Sequence, residues 1–200
     1  MFGGLPDRTT VGRNLLEYQY LCDELLDAPS VLNVVDSYPI ELLFPIRAGR
    51  TKQQIGKKGR DKGRWSIGMK LCWVLNTYGY VIGWSYDTMN RFDNTFHDVV
   101  SLFAEEGVIL ADLGFRAKNG IPANLKLCPK RTWNERMAVE TTFSLLTVIC
   151  HAKKMFHRRL PHLIARFAYT AAMFNVLVKL SRQLDPAADP FKVSIAQFSL

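Results

Sequence analysis

The sequence has no uncharged run long enough to cross a bilayer. Its longest uncharged segment, residues 71–86, is broken by Asn76, Thr77 and Gly79 and falls short of the ~20 residues a span requires. The opening stretch from Met1 to Asp7 lacks the apolar core of a secretory signal. Cysteine is scarce: Cys22, Cys72, Cys128 and Cys150 lie far apart and form no Cys-x-x-Cys pair. That excludes a disulfide framework as the organising device and leads us to expect a reduced, intracellular, soluble protein. His151, His157 and His162 follow Cys150 without completing a two-pair ligand spacing, which argues against a zinc site built from Cys and His. Acid is also in deficit, with 18 Asp and Glu against 26 Lys and Arg.

What is present is a globular composition, 48% apolar and 12% aromatic over 200 residues. That is enough chain for one domain or two small ones. The charge is unevenly placed. Residues 47–64 hold Arg47, Arg50, Lys52, Lys57, Lys58, Arg60, Lys62 and Arg64 against the single Asp61, a net +7 of the chain's +8. Gly49, Gly56, Gly59 and Gly63 are interleaved among these cations. Such a loop can lay long cations and backbone amides along a phosphate chain, and its self-repulsion calls for an anionic partner. The plainer reading is a solvated, mobile loop.

Along the chain, residues 10–27 carry a helical apolar spacing closed by Pro29, and we expect a packing helix at the rim of a domain. Residues 31–35 read as a short buried strand ending on Asp36, with Ser37-Tyr38-Pro39 turning the chain away. Residues 64–76 alternate Trp65, Ile67, Met69, Leu71, Trp73 and Leu75 with smaller or polar residues, the period of a strand with one buried face. Residues 80–88 resume that pattern after a turn, making a hairpin, and 92–103 suit a helix. Residues 108–111 form a second short apolar strand ending on an acid, Asp112. If both short strands are central and parallel, Asp36 and Asp112 stand side by side where an open α/β sheet places its site. Taken singly, each acid also suits a turn cap. Residues 124–128 suit an edge strand, and 161–182 a long helix with Pro161 in its first turn.

Between them lies an amphipathic helix. Thr132 and Glu135 fit a capping box that starts it near Trp133, and Val139, Phe143, Leu146 and Cys150 form its apolar stripe. At roughly 100° per residue, Glu140 falls at the edge of that stripe on the flank of Arg136 and Thr147. It is either an acid poised at a site or an ordinary boundary glutamate paired with Arg136.

Asp36 after a strand, Asp112 after a strand, and Glu140 on the next helix resemble the DDE transposases of bacterial insertion sequences. Trp133, Arg136 and Glu140 match their aromatic-x2-Arg-x3-Glu signature, and the wording around Asp36 and Glu140 is similar as well. The resemblance covers residue 31 to the C-terminus. It departs at Leu113 and Thr147, where such proteins carry lysine, and at Trp133, where tyrosine is usual. It implies an α/β, ribonuclease H-like fold: a mixed five-stranded sheet with helices on both faces. An N-terminal helical segment (1–30) would precede the catalytic domain (31–183, with its basic loop 47–64), and a C-terminal tail (184–200) would follow. It further implies two Mg2+ or Mn2+ ions held by Asp36, Asp112 and Glu140 for hydrolysis and strand transfer on double-stranded DNA. Trp133 would stack on an unpaired base and Arg136 would contact a phosphate. Self-association on transposon ends and target, a cytoplasmic, nucleoid-associated location and no membrane partner are expected, in a catalytic core lacking an end-binding module. The competing expectation is a catalytically silent DNA-binding remnant.

Overall fold

The computed structural model describes residues 6–61, 63–129 and 135–189, with the backbone alone for 135–138. One mixed sheet of six strands organises it: β1 (Leu32–Leu43), β2 (Lys57–Asp61), β3 (Arg64–Asn76), β4 (Val81–Thr88), β5 (Val108–Ala111) and β6 (Leu125–Leu127). β3 runs antiparallel to β1 on one flank and, on the other, pairs first with β2 and then with β4. β5 lies parallel to β1, and β6 parallel to β5. The fold is therefore α/β with a mixed sheet, as expected, but with a sixth strand drawn from the basic segment. Gly59 makes that strand possible: a Cβ there would stand 2.6 Å from the Met89 carbonyl oxygen.

Helices cover both faces. α3 (Glu135–Ile149) and α4 (Leu160–Leu184) bury Val139, Phe143, Leu146, Phe167 and Phe174 against Val34, Ile40, Leu71 and Trp73. On the opposite face, Phe96 and the short helix α2 (His97–Ser101) bury Val99 and Val100 against Val35, Cys72, Val74, Ile109 and Phe115. Consequently β3 is buried on both sides, which corrects the expectation of a strand with one wet face. The helix expected over 92–103 is only a 3-10 turn (Asp93–Phe96) followed by α2.

The N-terminal segment also differs from a single packing helix. α1 (Arg8–Glu17) buries none of its residues, and Gln19–Leu25 continues as a 3-10 helix. That continuation does the packing: Cys22 lies against Ala168 and Ala172 of α4. Buried Asn175 of α4 donates to the carbonyls of Leu25 and Val81, both at 2.8 Å, and accepts from the Val81 amide. Among the described residues α4 alone is long and apolar enough to span a bilayer, yet 56% of its apolar window is buried inside the protein. It is a core helix.

β1 runs well past the turn expected after Asp36. Asp36 does not end the strand; pairing with β3 continues through Leu43. Pro39 cannot donate to a ladder, so by itself it suggests a turn. Val31 and Glu41 direct their backbone groups away from β3: Val31 O accepts from Val108 N, while Glu41 N donates to Lys153 O (3.0 Å) and Glu41 O accepts from Met155 N (2.9 Å). Pro39 shares their parity, so its missing N–H falls on the flank that β5 has already left.

Candidate functional site

Leu32, Asn33 and Val34 pair with Val108, Ile109 and Leu110. Carried two residues further, this register sets Asp36 level with Asp112. β5 stops at Ala111 while β1 runs on, and along this further stretch of β1 lies a cleft of about 580 Å³ bounded by Asp36 and Tyr38 of β1 and by Glu140, Phe143 and Thr147 of α3. Two of the three acids singled out from the sequence therefore share one cleft, and the third stands at the end of the neighbouring strand. Asp36 is an interior strand residue lining the cleft, where a strand-end turn was expected.

Packing fixes how β1 faces α3 here. Tyr38 stacks on Phe143 with ring centroids 5.0 Å apart and planes at 22°, and its hydroxyl is hydrogen-bonded to Thr147 Oγ1. Val139 is buried while Glu140 is exposed, so the boundary position expected from the helical spacing is observed. Lys153 reaches the same cleft, held by the backbone bonds to Glu41. Its Nζ lies 2.9 Å from Asp61 Oδ2 and 5.0 Å from the Tyr38 ring centroid.

Asp112 caps the turn Leu113–Phe115, accepting from the Gly114 amide at 2.8 Å. A Cβ on Gly114 would lie 2.8 Å from both Asp112 Oδ1 and Asp93 Oδ2, which makes these two carboxylates neighbours. Asp93 in turn accepts from Ser37 Oγ at 2.5 Å and from Lys70 Nζ at 2.7 Å. Burial pushes the Cys72 thiol well above its ordinary range, with Asp36 and Asp93 adding to the effect and Lys70 opposing it. This cysteine stays protonated and is no nucleophile.

Asp61, Lys70, Asp93 and Lys153 were missed as site residues. No sequence spacing marks them: Asp61 looked like the lone acid of a basic loop, Lys70 like the outward residue of a one-faced strand. Asp93 comes to Ser37 only because the turn before α2 folds over the sheet. The proximity of Lys153 to Asp36 and Glu140 depends on the bridge at Glu41.

Among the described residues, no group of three or more His, Cys, Asp or Glu is close enough to hold an ion. Asp36 and Glu140 nevertheless supply carboxylate oxygens from two elements to one cleft. That donor set suits magnesium or manganese, which commonly take one or two carboxylates and complete their shell with water and substrate phosphate.

The basic residues divide. Lys57, Lys58 and Arg60 lie on β2 and are exposed, so they are not part of a loop, and Lys58 Nζ sits 5.1 Å over the Trp65 ring. Arg64 opens β3 and pairs with Glu41 at 3.7 Å. Arg47, Arg50 and Lys52 remain exposed in the connection before β2. Lys62, Trp133, Thr132 and the side chains of Glu135 and Arg136 lie outside the described residues. Comparison with protein-family models, curated proteins and solved structures finds no match to the chain.

Proposed function

We propose that the chain is the catalytic core of a DDE-type transposase, cutting and rejoining DNA phosphodiesters at the cleft between β1 and α3 on a ribonuclease H-like fold. The reading is carried by one observation: Asp36 and Glu140 line one cleft, and the register of β1 and β5 sets Asp112 level with Asp36. Leaving β2 aside, the order β4-β3-β1-β5-β6, with only β3 antiparallel to its neighbours, is compatible with that five-stranded sheet.

Asp36 and Glu140 would hold the metal from the two sides of the cleft, with Asp112 at the end of the neighbouring strand as the third acid, and the metal when bound would polarise the phosphate and lower the pKa of an attacking water. The chain's own residues do the rest. The Tyr38–Phe143 stack keeps α3 in place on β1, so the acid on the helix is preorganised relative to the acid on the strand. Lys153 supplies a cation beside the acids, able to meet a phosphate oxygen where Thr147 cannot. Asp61 orients that ammonium. The exposed cations of β2 and of the connection before it lead the DNA backbone toward the cleft.

The test is metal-dependent nicking of a nicked or pre-cleaved duplex with manganese present. Glu140→Gln and Asp36→Asn should abolish it while leaving the melting temperature unchanged or slightly raised, because two carboxylates lining one cleft repel each other without metal. Nicking that survives Glu140→Gln removes that residue from the chemistry. A parent that binds DNA and never nicks supports the silent remnant, and Leu113→Lys with Thr147→Lys is then the pair to restore.

A further inference from the structure

A second recess, of about 470 Å³, opens beyond the end of β1. Its apolar side is Leu42, Leu43 and Ile55. Two chain segments far apart in sequence bring cations to its rim: Arg47 and Arg50 from the connection before β2, Arg158 and Arg159 from the approach to α4. No acidic side chain lines it among the described residues. His157 also lines it, and burial, with Arg166 and His162 adding, lowers its pKa from 6.5, so the arginines carry the charge at neutral pH.

We propose that this recess binds a nucleotide, with the phosphate at the arginines and the base against the leucine and isoleucine side chains. The volume lies within the ~300–1,000 Å³ of small-molecule sites. Four guanidiniums around one opening suit a phosphate, which arginine binds through paired N–H groups. Arg159 also stands at the N-cap position of α4, where its side chain makes no capping hydrogen bond, and the first-turn amides other than the missing one of Pro161 favour an anion. A bare phosphate would leave the apolar side unfilled; a planar base covers it. Gln53 and Gln54 lie on the same wall and offer amides to a base edge, although Gln54 Oε1 already accepts from the Gly49 amide at 2.7 Å.

The nucleotide can be one residue of a bound strand or a free mononucleotide. Leu43 lies seven residues past Asp36 on the same strand, roughly 23 Å at ~3.3 Å per residue. A DNA strand running along β1 would thus place its unstacked residue about seven nucleotides from the cleft. The recess is separate from the acids, so it stands or falls apart from the cleavage reading.

The experiment uses the full chain in EDTA with two probes: 2-aminopurine nucleoside monophosphate, and a duplex of roughly 20 base pairs carrying one 2-aminopurine at successive positions. Inorganic phosphate serves as competitor. A fluorescence change saturating with either probe is expected. Thr51→Trp, which fills the recess from an exposed lining position, and Arg158→Ala/Arg159→Ala should each weaken the response about tenfold or more. The double variant should also lower the salt slope of duplex binding by about two. A response to the mononucleotide alone assigns a free nucleotide; a response confined to one duplex position assigns a strand. The proposal is overturned if neither probe responds, if both variants respond like the parent, or if inorganic phosphate competes as well as the nucleotide. Manganese-dependent nicking of the same duplex, measured separately, reports on the cleft: nicking without a probe response sinks only the recess, and a response without nicking sinks only the cleavage reading.

Discussion

Replacing Lys70 with methionine would leave Asp93 facing Ser37 and the neighbouring Asp112 carboxylate with its cation gone. The lysine and aspartate are 2.7 Å apart, and their side chains are only 18% and 22% exposed. A surface pair contributes about 0–1 kcal/mol, whereas breaking a buried one costs about 3–5 kcal/mol. With this degree of exposure the expected loss is about 2 kcal/mol, or roughly 4–8 °C in melting temperature for a chain of this size. Asp93→Asn removes the charge while its amide oxygen can still accept from Ser37, so it should cost less. The double variant Lys70→Met/Asp93→Asn should recover part of the loss, giving a coupling of about 1–2 kcal/mol in a double-mutant cycle followed by urea unfolding. Because Asp93 holds Ser37, next to Asp36, and lies against the turn that follows Asp112, nicking should fall in Lys70→Met even below its unfolding transition. Additivity of the two single changes within about 0.3 kcal/mol would refute the argument that this pair organises the edge of the sheet.

Three further outcomes are expected. Lys57→Ala/Lys58→Ala/Arg60→Ala should weaken duplex binding at all sequences and lower its salt slope by about one per lost phosphate contact; an unchanged slope in an anisotropy titration would make β2 a mere edge strand. Gly68→Ala drives a Cβ into the Ile40 carbonyl oxygen across the β1–β3 ladder, and should cost about 3 kcal/mol or more by thermal unfolding because backbone, not a side-chain tip, must move. His157 has its folded pKa below 6.5 through burial, with Arg166 and His162 adding. Between that lowered value and 6.5 the unfolded chain binds more proton, so stability should rise with pH through this window and fall as pH drops below 6.5. His157→Gln should flatten that slope in urea midpoints measured across it.

The local periodicities determined much of this protein by themselves. The stripe of Val139, Phe143, Leu146 and Cys150 is buried with Glu140 at its boundary, because the helical repeat fixes which residues share a face. The 64–76 and 80–88 hairpin, the strand before Asp112 and the long C-terminal helix follow from the same kind of signal. Tertiary structure decided what a neighbour must be present to decide. Pro39 sits inside β1 because the strand beside it has ended, and a missing amide matters only where a partner waits for it. Lys57, Lys58 and Arg60 form a strand because β3 offers a free edge and Gly59 lets Met89 approach. Asp93 and Lys153 join the acids through contacts 56 and 92 residues long in sequence, with Ser37 and Asp61 respectively. No periodic pattern encodes such meetings, since they depend on where whole elements come to rest.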